Sequence, residues 1–156
     1  MALASSGCGT PPEPCNESCP NISGAYVIQN TTPVGQCAFS PYLLAPTVRL
    51  SQSDNGQRAV VTLIDPSTQR VVPLTGDVYA PGSGEDSNVI GLFRMSARTA
   101  RPASLADRQT VTLDVKLTGA VSLDKGRRRL SAALSTLDVL SGDACTVLIS
   151  VTGEDR

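Results

Sequence analysis

Histidine and tryptophan are absent from the 156 residues, and Phe, Tyr and Trp together make up only 3% of them. Without histidine there is no Ser-His-Asp triad, no Cys-His pair and no His-ligated metal. With so few rings, the stacking platforms that hold sugars and bases are missing as well. No apolar run approaches the roughly 18 residues of a membrane-spanning helix; the longest are short segments such as AVVTLI and VLIS. Neither sign of charge is in excess. Thirteen Lys and Arg, spread along the chain, stand against 14 Asp and Glu, which argues against the broad cationic face of a nucleic-acid binder. We read no catalytic motif, no metal site and no cofactor.

What is present is crowded into the start. The stretch SSGCGTPPEPCNESCPNISG, residues 5–24, holds three of the five cysteines and almost no core-forming residue. Ala4, Ser5, Ser6 and Gly7 run up to Cys8 as the end of a secretory signal peptide would. This segment resembles the lipobox of bacterial lipoproteins. The resemblance implies that Cys8 is the lipidation site, that residues 1–8 are the remnant of a signal peptide, and that the mature chain is exported and lipid-anchored in the cell envelope, at a bacterial outer membrane or cell surface.

Cysteine parity agrees with that reading. Setting Cys8 aside leaves Cys15, Cys19, Cys37 and Cys145, an even set with three possible connectivities. We expect Cys15 with Cys19 as a small local loop and Cys37 with Cys145 as a long staple. In the chain-entropy picture the long staple contributes about 4 to 5 kcal/mol. The rival is a zinc site of Cys8, Cys15, Cys19 and Cys37, although a C-x3-C spacing is not the paired C-x2-C of such sites. Proline and polar residues across 9–23 favour extended, unpacked backbone, so this segment reads as a tether. Its sequons at Asn16 and Asn21, and that at Asn30, read as unmodified polar linker in a bacterial exported chain.

From Gly24 to Arg156 the pattern is that of one β domain, with apolar and polar residues alternating. In TVTLDVKLTG, Val111, Leu113, Val115 and Leu117 share one face while Thr112, Asp114 and Lys116 share the other. CTVLISV places Cys145, Val147 and Ile149 inward in the same way. Asn55-Gly56 and Gly126 mark hairpin turns. Strands are expected over 25–29, 47–52, 58–65, 70–74, 77–80, 89–97, 110–123, 130–139 and 145–152, with at most a helical turn beginning at Pro102. The predicted fold is all-β, an antiparallel meander of about eight or nine strands closing as an up-and-down barrel, with a two-sheet β-sandwich as the alternative. The arrangement resembles the lipocalin type of small barrel, with SGAY, Gly24 and Tyr26 included, standing where that family carries G-x-W.

The functional expectation is an envelope lipoprotein whose barrel is a structural or interaction module, with the membrane as partner through the anchor and an envelope protein as a further one. The alternative is a lipocalin-like binder of a small apolar ligand, lined by Ile28, Val61, Leu113, Val115 and Val147. Less favoured is a hydrolase using paired carboxylates, since Asp54, Asp65, Asp107 and Asp124 read as turn or wet-face residues. Glu85, Asp86 and Asn88 read as a solvated loop rather than a calcium site. Lys125, Arg127, Arg128 and Arg129, at a hairpin tip, are the candidate contact for an anionic surface.

Overall fold

The computed structural model describes residues 12–35, 42–66, 68–102 and 110–150, with the side chains of Pro102 and Ser150 left aside. They form β1 (Glu13–Pro14), β2 (Gly24–Val27), β3 (Asn30–Val34), β4 (Leu43–Leu44), β5 (Thr47–Ser53), β6 (Arg58–Ile64), β7 (Val71–Ala80), β8 (Val89–Pro102), β9 (Thr110–Asp124), β10 (Arg127–Asp138) and β11 (Ala144–Ser150). Every strand pair is antiparallel, and there is no helix among the described residues.

From β5 to β11 the strands lie side by side in chain order, an all-β meander curled strongly into a half-barrel. What brings its two ends together is one short segment. Gly24 and Val27 of β2 pair with Leu50 and Thr47 of β5, while Val34 and Asn30 of β3, two residues further on, pair with Thr146 and Ser150 of β11. A single row of partners runs Ser51, Val60, Thr75, Ser96, Lys116, Ser135, Thr146, Val34. It thus ends on the same segment that pairs with Leu50, the neighbour of its first residue, but displaced along it by about ten residues, the kind of stagger that tilted strands need to curl round on themselves.

The alternation of the sequence decides what faces inward. Ala59, Val61 and Leu63 of β6, Phe93 and Met95 of β8, Leu113, Val115, Leu117 and Val121 of β9, and Leu130, Leu134, Val147 and Ile149 beyond them are all buried in one cluster. Gly119 makes room for the Phe93 ring: a Cβ there would lie 2.8 Å from Phe93 Cζ. Phe93 and Gly119 are cross-strand partners, so the ring lies over the bare backbone of its own neighbour and fills the interior.

Hairpin chemistry follows the turn residues. Lys125 and Gly126 both have positive φ, 50° and 76°, and join β9 to β10 in two residues. Asp54, Asn55 and Gly56 at 52°, 56° and 87° turn β5 into β6.

Three expectations need correction. Segments 70–74 and 77–80 are one strand, because Gly76 is a site of close approach rather than a turn: a Cβ on it would fall 1.7 Å from the carbonyl oxygen of Arg94. Segment 30–34, read as polar linker, is the strand β3. Residues 12–23 are not an unpacked tether. β1 pairs Glu13 with Ala80 and Pro14 with Tyr79, the Cys15 N–H donates to Val78 O at 2.9 Å, and Ile22 is fully buried. Proline removes three backbone donors from this strap, and the Gln52 amide meets part of what remains: its Oε1 accepts from the N–H groups of Ile22 (2.8 Å) and Ser23 (3.0 Å), and its Nε2 donates to Pro20 O (3.0 Å) and Gly56 O (2.9 Å). The strap is therefore part of the fold.

Candidate functional site

The predicted site residues divide into three groups. Cys15 and Cys19 are disulfide-bonded with Cα atoms 5.2 Å apart, which sets aside the four-cysteine zinc site. Cys145 is 1% exposed, points into the core as its parity requires, and is disulfide-bonded. Cys37, expected as its partner, lies outside the described residues, as do the lipidation candidate Cys8, the acidic Asp107 and most of the turn after Pro102.

The residues named as a ligand lining come together, as core. Val61, Leu113, Val115 and Val147 are buried in the same cluster as Phe93, Met95 and Leu117, and Ile28 packs against it half-buried. Tyr26, standing at the tryptophan position of the barrel resemblance, is fully buried, and its hydroxyl donates to Ile22 O at 2.7 Å. That bond ties the strap to the inner face.

The hairpin cations are partly engaged within the fold. Arg129 is paired with Asp124 at 2.9 Å, and Arg128 Nη1 donates to Ser23 O at 2.9 Å. In the acidic loop, Asp86 O and Asn88 O accept from the N–H groups of Val89 and Leu123. Among the described residues no three Asp, Glu, Cys or His side chains form a group suited to a metal ion.

Two groupings had not been foreseen. The first is a buried ionic cluster near the far ends of β6 and β8. Asp65, expected on a wet face, is 3% exposed, and Arg101 Nη1 reaches its Oδ1 at 3.2 Å. The Arg101 guanidinium lies 5.2 Å from the centre of the Tyr42 ring, and the Tyr42 and Thr99 hydroxyls share a hydrogen bond of 2.8 Å. Burial pushes the Tyr42 phenol above its ordinary pKa. Both charges continue an apolar alternation, Ala59-Val61-Leu63-Asp65 on one strand and Phe93-Met95-Ala97-Thr99-Arg101 on the other. Opposite charges at two such ends are the signal that would have found the pair.

The second is a groove on the outer face of β6 to β9, enclosing about 360 Å³ and lined by Arg58, Asp77, Tyr79, Arg94, Lys116 and a floor of small residues that includes Ser96 and Thr118. Cross-strand register assembles it. Arg58 pairs with Asp77, Asp77 with Arg94, Arg94 with Thr118 and Ser96 with Lys116, all on the face opposite the core. Arg58 Nη1 is 2.6 Å from Asp77 Oδ1, and the Arg94 guanidinium stacks 5.1 Å from the centre of the Tyr79 ring. One carboxylate thus lines the groove against three cations. Just beyond it, Arg98 closes two hydrogen bonds on Asp114 (2.7 and 3.0 Å) and holds that carboxyl below the usual range.

No protein-family model matches the chain, and neither the curated proteins nor the solved structures include one significantly similar to it.

Proposed function

We propose that the chain is an exported, lipid-anchored envelope lipoprotein whose β domain serves as an interaction module working through its outer surface. The observation that carries this reading is the Cys15–Cys19 disulfide seated in the fold, with Cys15 packed against the core cluster and its N–H bonded to Val78 O. Disulfides persist in oxidising compartments outside the cytosol, and this one stands seven residues after the lipobox-like Cys8. The packed interior favours the interaction module over the apolar-ligand alternative, since Phe93 lies across the space above Gly119 and the residues proposed as a lining are packed core.

Labelling cells that make the protein from its own gene with an alkynyl fatty acid tests the anchor. Label is expected on the wild-type protein and none on Cys8→Ser. An unlabelled wild-type protein, or equal labelling of the variant, overturns it.

A further inference from the structure

We infer that the groove on the outer face of β6 to β9 is a binding site for the phosphate of an anionic phospholipid headgroup, a second contact with the membrane beside the lipid anchor. The inference rests on the anchored reading above for its choice of ligand, and on the groove itself for its chemistry.

Three cations and one carboxylate line the groove: Arg58, Arg94 and Lys116 against Asp77. The Arg58 charge is met by Asp77. Arg94 holds its guanidinium carbon over the Tyr79 ring, 5.1 Å from the centre, a contact that keeps this cation at the groove wall. Lys116 comes from the neighbouring strand, and Ser96 and Thr118 supply hydroxyl donors between the two cations. A fork, a point charge and hydroxyls around a shallow opening suit a tetrahedral phosphoryl group, whose oxygens accept from several directions at once.

The position of the strap selects the source of that phosphate. Pro14 of β1 pairs with Tyr79, itself a wall of the groove. Cys8 stands four positions before Pro12, the first described residue, and four positions span at most about 14 Å. A lipid on Cys8 therefore holds the domain close to the bilayer on the side where the strap meets the groove. Cations held near an anionic leaflet each strengthen attachment severalfold, the more so at low ionic strength.

The experiment uses the full chain carrying Cys8→Ser, so that no anchor contributes, and measures sedimentation with vesicles of phosphatidylglycerol and phosphatidylcholine against vesicles of phosphatidylcholine alone. Retention on the anionic vesicles is expected, falling at least tenfold in Arg94→Ser/Lys116→Ser and rising in Asp77→Asn, which removes the one carboxylate of the groove. Arg127→Ser/Arg129→Ser is expected to change it less than twofold. Circular dichroism should show all variants folded, because the substituted side chains lie outside the core. Equal retention of the Arg94/Lys116 variant, or a larger loss in the hairpin variant, overturns the assignment. Saturable binding of inorganic phosphate without retention on vesicles assigns the groove to a soluble anion and overturns it too. Because the chain tested is unlipidated, failure here leaves fatty-acid labelling of Cys8 intact, and absence of that label leaves vesicle binding intact.

Discussion

The outer faces of β6 to β9 and of β10, β11 and β3 are built by the same alternation over the same core, and they differ in chemistry. The first carries Arg58, Asp77, Arg94, Lys116, Arg98 and Asp114. The second carries no charge from Ser131 to Leu137 on β10, from Ala144 to Leu148 on β11, or on β3, and exposes Val34, Leu137 and Leu148 among serines, threonines and alanines. Alternation explains why each residue faces outward, but it does not explain this segregation. Cations gathered on one wall raise the local potential there, whereas the same charges scattered over both walls would serve solubility alone. The difference is what makes the charged wall the surface to test.

The two walls share their inner support, so the largest effect is expected where that support is broken. Asp65→Ala leaves the buried Arg101 without the carboxylate it reaches at 3.2 Å and should cost about 3 kcal/mol in denaturant unfolding, with both walls loosening together. A loss below about 1 kcal/mol would mean that water compensates the guanidinium. Next comes a change that separates the walls. Cys15→Ser/Cys19→Ser should cost about 2 kcal/mol in the chain-entropy picture of a short loop. Its increase in amide exchange should be concentrated at residue 15, whose N–H donates to Val78 O where the strap pairs with β7, while β10 and β11 keep their protection. Uniform exchange would show that the strap supports the whole sheet.

The smallest effect is expected at the rim of the charged wall. Arg98 lies exposed on the surface, and Arg98→Ala should lower stability at neutral pH and physiological salt only slightly. That small loss should vanish in acid. Arg98 holds the folded-state pKa of Asp114 below that of the unfolded chain, about 3.9. The contribution is therefore present above the unfolded value and is lost as pH falls through the depressed folded one. In Arg98→Ala the fall in stability with acid should be shallower over that window, as read from urea midpoints against pH; an unchanged profile would remove the pair from the account.

Legibility in the sequence followed the strength of the local pattern. The β5–β6 hairpin was readable to within a residue, because Val48, Leu50, Ala59, Val61 and Leu63 alternate cleanly on either side of Asn55-Gly56. β3 was not, since Asn30–Val34 is exposed throughout and contains Pro33, so neither burial nor periodicity marks it; it is a strand because β11 offers an edge. The strap was misread for a similar reason. Its composition is that of a linker, and its docking depends on Gln52 and on the bare backbone of Gly91, where a Cβ would meet Pro20 at 2.7 Å, both distant in sequence. The groove was invisible because it is made by register across four strands, which gathers residues from Arg58 to Thr118 through successive pairs.

The central claim is that the interior of the sheet is support and the charged outer wall is the working surface. Amide and methyl correlation spectra of the full chain, recorded during titration with a short-chain phosphatidylglycerol, test it most directly, because a lipid with both a phosphate and acyl chains can in principle choose either side. The account predicts shifts at Arg94, Ser96, Lys116 and Thr118, with the methyl groups of Val61, Leu113, Val115 and Val147 unmoved. Saturable shifts at those inner methyl groups, with the outer wall silent, would contradict it and restore the apolar-ligand reading.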